Sequence, residues 1–108
     1  MKHSKLFIFA IMTTLAVSGC KHQAATYPTD TLTTKNGSQL TITFFKHASM
    51  AIETEGRHIY IDPISQYADY ASLPKADLIL ITHSHYDHLD SAAVAALSTA
   101  ATTVVCDR

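Results

Sequence analysis

Three features of the 108-residue chain point to an α/β fold, a mixed sheet packed against helix. Residues 40–44 and 57–62 alternate apolar and polar side chains, the mark of half-buried strands. Leu78-Ile79-Leu80-Ile81 is a short, wholly apolar run bounded by polar residues, which suits a strand covered on both faces. An Ala-rich stretch separates it from a last β-like run at 102–106. Strands followed by a strand–helix–strand unit imply a layer of helix on sheet.

Residues 1–20 stand apart from this pattern. Met1-Lys2-His3-Ser4-Lys5 is short and basic, and residues 6–17 are apolar apart from Thr13 and Thr14. Small residues close the segment in Val17-Ser18-Gly19-Cys20. This is the form of an export signal. The apolar run falls short of the roughly 20 residues that span a bilayer stably. A plain signal cut near Gly19 and a buried N-terminal helix are the competing readings. Val-Ser-Gly-Cys resembles the lipobox of bacterial lipoproteins. That resemblance implies a signal over 1–19 and an acylated Cys20 as the first residue of an 89-residue mature chain. It also implies anchoring in the bacterial cell envelope, since each buried CH₂ of an acyl chain contributes about 0.8 kcal/mol. Lys21, in the sorting position after the cysteine, is similar to outer-membrane lipoproteins. Cys106 is left without a partner for a disulfide and reads as a small buried hydrophobe.

Residues 20–38 read as a tether, rich in Thr, Ala and Lys without apolar periodicity, whose last part can form an edge strand. The domain proper then runs over 39–108. A strand at 40–44 is followed by one at 49–54, a turn at Glu55-Gly56, and a third strand at 57–62 that closes a hairpin. Pro63 ends that strand, and 65–72 is a loop. Tyr67 and Tyr70 in it read as packing residues, with a pocket wall as the alternative. After the strand at 78–81 and a loop at 82–89, Asp90 or Ser91 is placed to cap a helix reaching about Thr99. Val94 and Leu97 are its expected buried positions. There are no internal repeats.

Composition narrows the function. Hydrophobic residues make up 47% and charged residues 16%, which is globular rather than disordered. Formal net charge is −1, and without Lys2 and Lys5 the balance is six basic against nine acidic residues. No Lys/Arg cluster is present, which argues against a nucleic-acid partner held through its phosphates. Seven His nearly equal the eight Lys and Arg together. Three of them lie in His83-Ser84-His85-Tyr86-Asp87-His88, directly after a buried strand and before a helix. A loop held at both ends by rigid elements presents its side chains in fixed positions. Neutral imidazole and carboxylate are natural ligands for zinc and similar divalent ions. In an extended loop, 83 and 85 point to one side, while Asp87 and His88 reach a second position. Six residues can thus supply two ligands to each of two metals. A polar surface loop that merely contains His is the bland alternative.

Thr82-His83-Ser84-His85-Tyr86-Asp87-His88 resembles the signature loop of the metallo-β-lactamase-fold hydrolases. Phe45-Lys46-His47-Ala48-Ser49, Ile52-Glu53, Ile59-Tyr60-Ile61-Asp62-Pro63 and Leu73-Pro74-Lys75-Ala76-Asp77-Leu78 are similar to the subgroup containing ascorbate-phosphate lactonase-like proteins. The resemblance covers about residues 40–106. It implies the N-terminal half of an αββα sandwich and two divalent metal ions, zinc by default, with Mn or Fe also suited to such ligands. It assigns His83 and His85 to the first metal and Asp87 and His88 to the second. Asp62 becomes a carboxylate behind a ligand His, and His47 a residue at the mouth of the site. With Asp87 these are the candidate catalytic residues. The bland alternatives are a turn carboxylate before Pro63 for Asp62 and a loop His for His47. His58 reads as an exposed strand residue, and Tyr86 carries no assigned chemistry.

The same resemblance implies that further ligands lie beyond the strand at which this chain stops. The expectation is therefore a fragment, inactive by itself, with one sheet face uncovered and inviting self-association. A short natural protein that completes its sandwich by dimerisation is the alternative. The expected activity is metal-activated water attacking an ester, lactone or phosphodiester of a small metabolite. Thr-His-Ser-His-Tyr-Asp-His-Leu-Asp is also similar to the loop of phospholipase-D-like members, which implies a phospholipid phosphodiesterase as the alternative. A metal-binding remnant without catalysis and a fold kept only for binding are the non-enzymatic readings.

Overall fold

In a computed structural model of the chain, residues 25–107 are described. The export signal and Cys20 lie outside the described residues. Six strands form one sheet: β1 (Thr29–Thr33), β2 (Gln39–Lys46), β3 (Ser49–Thr54), β4 (Arg57–Ile61), β5 (Leu78–Leu80) and β6 (Thr103–Val105). The order across the sheet follows the chain, β1-β2-β3-β4-β5-β6. The first four strands are antiparallel, and β4, β5 and β6 are parallel. One helix, α1 (Ser91–Leu97), joins β5 to β6, and a 3-10 turn occupies Tyr70–Ser72. The mixed α/β architecture is the expected one. Among the described residues, no helix is long and apolar enough to cross a membrane.

Local chemistry explains the boundaries. Glu55 and Gly56 both have positive φ, 50° and 73°, the backbone of a two-residue turn whose twist matches the strands it joins. Register then pairs Ile52 with Ile59 and Ala51 with Tyr60. Asp90 caps α1: its Oδ1 accepts from Ala92 N at 2.9 Å and Ala93 N at 3.3 Å. Its Oδ2 accepts from Ser65 N at 2.8 Å, so the same carboxylate ties the loop after β4 to the helix.

Side chains alternate across the sheet, and its two faces have different fates. Tyr60, Ile79 and Ile81 point to the helix side, where they pack with Ala68, Tyr70, Ala76, Ala93 and Leu97. Ile79 and Leu97 are completely buried. The opposite face carries Ile42, Ile52, Ile59 and Leu78 in one register row. The next row holds Phe44, Met50, Ile61, Leu80 and Val105. No second layer covers it among the described residues.

The last part of the segment read as a tether does form an edge strand, β1, paired with β2 from Thr29↔Thr43 to Thr33↔Gln39. Four readings need correction. The helix stops at Leu97 rather than Thr99, where the Ser98 hydroxyl and N–H both turn back to the Val94 carbonyl. Its buried residues are Ala93 and Leu97, four apart on one face, with Val94 only half-buried at the edge. Strand β5 is buried on one face only, at Ile79, while Leu78 and Leu80 are half-buried on the open face. Cys106 is an exposed free thiol, because β6 is the sheet's edge and every residue of it is exposed.

Candidate functional site

The candidate residues come from three separate places: the β2–β3 turn (His47), the end of β4 (Asp62) and the loop after β5 (82–88). The β2–β3 register shifts between Phe44 and Lys46, an irregularity that re-aims the turn carrying His47. His47 has φ 55° and Asp62 φ 44°, left-handed values that non-glycine residues rarely adopt. Of the three non-glycine residues with positive φ among the described residues, two are therefore candidate catalytic residues. Such backbone persists only where the surroundings over-determine it. At Asp62 the cause is visible: the buried Ser49 hydroxyl donates to the Asp62 carbonyl, and the Asp62 N–H donates to Leu80 O at 3.0 Å.

Asp62 sits at the centre, with no exposed surface. Its Oδ1 accepts from Thr82 N at 2.7 Å. Its Oδ2 lies 2.7 Å from Thr82 Oγ1 and 2.8 Å from His88 Nδ1. Burial pushes this carboxyl up. The hydrogen bonds from His88 and from the Thr82 side chain and backbone outweigh that, and hold it below the usual carboxylate range.

The loop folds back on itself, with His88 N and Leu89 N both donating to His85 O at 2.9 Å. This turn lays His88 against His83, ring centroids 3.9 Å apart, with His85 a further 4.5 Å from His83. On the other side His88 Nε2 is 3.6 Å from Asp87 Oδ2, and His47 Nε2 is 3.3 Å from the same oxygen. Burial pushes the Asp87 carboxyl up. A hydrogen bond to its own backbone N–H and the neighbouring His88 and His47 bring it below the ordinary value. All six candidate residues thus converge.

Whether they fit a metal can be judged from ligand spacing. His47, Asp87 and His88 each offer a ligand atom within 4.8 Å of the others, two imidazole nitrogens and a carboxylate oxygen. This donor set is suited to zinc and related divalent ions. Asp87 and His88 stand together with His47 added to them, while His83 and His85 form an adjoining imidazole pair. His47 comes from a turn 40 positions away, so loop spacing alone could not place it there.

Sequence reasoning gave no role to Thr82 or Ser49, both of which grip Asp62. The signal was position: each lies within a quoted motif, one residue before His83 and two after His47. His58 is half-buried rather than exposed, its N–H donating to Asp77 Oδ2 at 2.9 Å. Tyr86 is 91% exposed. Tyr70 is buried in the core and also lines, with Tyr27, Ser65, Tyr67 and Asp69, an open cavity of about 580 Å³. None of the converging His and Asp residues lines that cavity.

Comparison with known proteins bears on this site. A family model described as "Beta-lactamase superfamily domain" matches residues 41–106. A UPF0173 metal-dependent hydrolase of Flavobacterium johnsoniae is 49% identical over 53 residues, covering 44% of this chain and 24% of its own length. One from Exiguobacterium is 32% identical over 69 residues, covering 60% of this chain and 31% of its own. A crystal structure of a candidate metal-dependent hydrolase from Parabacteroides distasonis superposes with a TM-score of 0.72 at 47% identity. That match covers 73% of this chain and 36% of the other. The chain therefore spans a quarter to a third of these curated relatives.

Proposed function

The chain belongs to the beta-lactamase superfamily, and on that premise we propose that it contributes the His/Asp loop of a metal-dependent hydrolase acting on an ester, lactone or phosphodiester of a small metabolite. The observation that carries this reading is the convergence of His47, Asp87 and His88 ligand atoms within 4.8 Å, with His83 and His85 alongside. In this reading His83, His85, Asp87 and His88 hold two divalent metals, zinc by default. The chemistry a metal supplies there is Lewis acidity, which activates water near neutral pH and offsets negative charge developing on the substrate. The chain's own residues do the positioning. Asp62 fixes His88 from behind through Nδ1 and leaves Nε2 facing the site. His47, half-exposed at the rim, steadies Asp87 and can pass a proton to a leaving group.

Anchoring at Cys20 would place this chemistry in the bacterial envelope, at the outer membrane. That location favours a second reading, a phospholipid phosphodiesterase, because the substrate would lie in the same surface.

The test is metal content and turnover, on the 108-residue chain and on the product of the complete reading frame. The zinc-loaded product of the complete reading frame should hydrolyse p-nitrophenyl ester, lactone or bis-p-nitrophenyl phosphate probes, and the 108-residue chain by itself should not. A chelator should abolish the activity, and His88→Ala should lower kcat/KM by about a hundredfold or more, the loss expected for a metal ligand with its supporting shell. Turnover untouched by the chelator would overturn the proposal. Metal uptake without turnover in the product of the complete reading frame would leave the non-catalytic metal-binding reading. Preference for phosphatidyl vesicles over soluble diesters would select the phospholipid substrate.

A further inference from the structure

The geometry points to Thr82 as a positioning residue: its hydroxyl carries the orienting effect of Asp62 on to His83, so that one buried carboxylate selects the ring tautomer of two histidines. The inference rests on the hydrolase reading for its purpose and on proton bookkeeping for its content. Thr82 Oγ1 lies 2.7 Å from Asp62 Oδ2 and 2.9 Å from His83 Nδ1. His88 Nδ1 lies 2.8 Å from that same Asp62 oxygen. At neutral pH a carboxylate has only acceptors to offer. The single Thr82 hydroxyl proton must therefore point to Asp62. Were it turned to His83, two acceptor oxygens would face each other at 2.7 Å with no proton between them. With its proton committed, Thr82 Oγ1 has only lone pairs left for His83, and His83 Nδ1 must donate. His88 Nδ1 must likewise donate to Asp62.

In the neutral form both rings are then Nδ1–H tautomers, with Nε2 as the acceptor nitrogen. His88 Nε2 faces Asp87 Oδ2 at 3.6 Å, inside the ligand group. Through Thr82 the same choice is imposed on His83, whose ring centroid lies 3.9 Å from that of His88. Thr82 Oγ1 is also 3.4 Å from His88 Nδ1, so the hydroxyl lies close to the Nδ1 atoms of both rings. The Thr82 N–H donates to Asp62 Oδ1 at 2.7 Å, which holds the Thr82 backbone against the same carboxylate. Serine reproduces this arrangement, and valine keeps the shape but removes the acceptor.

The experiment is long-range ¹H–¹⁵N correlation on the full chain, metal-free, with ¹⁵N-labelled histidine, which separates Nδ1–H from Nε2–H tautomers. Wild type and Thr82→Ser should show His83 as Nδ1–H. Thr82→Val should shift His83 to a mixture or to Nε2–H while His88, bonded to Asp62 directly, stays Nδ1–H. Zinc affinity, measured by calorimetry with zinc alone, should fall about tenfold or more in Thr82→Val and recover in Thr82→Ser. A wild-type His83 in the Nε2–H form overturns the proposal, and needs no variant to fold. So does a Thr82→Val protein that folds and keeps His83 as Nδ1–H. If wild type binds no zinc, the hydrolase reading fails while the tautomer measurement still decides the role of Thr82.

Discussion

At the scale of single residues, Asp62 decides most. It is wholly buried, sits at φ 44° and receives three donors. A left-handed backbone tolerates Asn as well as Asp, so Asp62→Asn isolates the charge from the conformation. Its folded-state carboxyl is held below the ordinary value, so the native state binds a proton less readily than the unfolded chain. The stability it contributes is then fully present above the unfolded value of about 3.9. It is lost as pH falls through the lower folded one. Urea midpoints of the metal-free chain should accordingly fall as pH is lowered below about 4. The slope should be shallower in Asp62→Asn, and an unchanged acid limb in that variant would contradict the assignment. Read from sequence alone, Asp62 is recognisable only as a carboxylate ending a strand before Pro63. That it meets His88, 26 positions later, comes from the parallel pairing of β4 with β5, which sets Ile61 beside Leu80.

At the scale of elements, capping and turns were the legible part. Asp90 ahead of an Ala-rich stretch signals a helix start, and the carboxylate does accept from Ala92 and Ala93. The Glu55-Gly56 turn and both its strands also follow from local chemistry, since a tight turn needs positive φ and the strands need alternation. What local chemistry could not supply is the second role of Asp90, its bond to Ser65 N across 25 positions. Asp90→Ala should therefore cost more than a plain cap, which is worth about 1 kcal/mol. Denaturant unfolding should show a loss of about 2 kcal/mol, because a helix N-terminus and a loop N–H lose their acceptor together. A loss of a few tenths would mean that water replaces both bonds. The helix ends at Leu97, short of the expected Thr99, for a related reason. Ala100 and Ala101 favour helix, but the Thr99 N–H and the Ala76 carbonyl both bond the Thr102 hydroxyl and draw the chain back toward the sheet.

At the scale of the whole molecule, the sheet has one face built into a core and one left open. Ile79, fully buried against the helix layer, should lose about 3 kcal/mol on mutation to Ala, by transfer and cavity together. Phe44, 39% exposed on the other face, should lose less than Ile79 on the same change, since a large part of its area stays in water and no closed cavity is left behind. Equilibrium urea unfolding of both variants checks the contrast. Equal losses would mean that the open face is covered in solution.

Periodicity, turn residues and the His/Asp loop determined the strands, the helix start, the family and most of the site candidates. These features are local, and each depends on side chains within a few residues of one another. Three things were decided only by the tertiary structure. One is the company His47 keeps with Asp87 and His88. Another is the grip of Thr82 and Ser49 on Asp62, and the last is which sheet face is buried. Each depends on which strands far apart in the chain lie side by side, which local alternation does not specify.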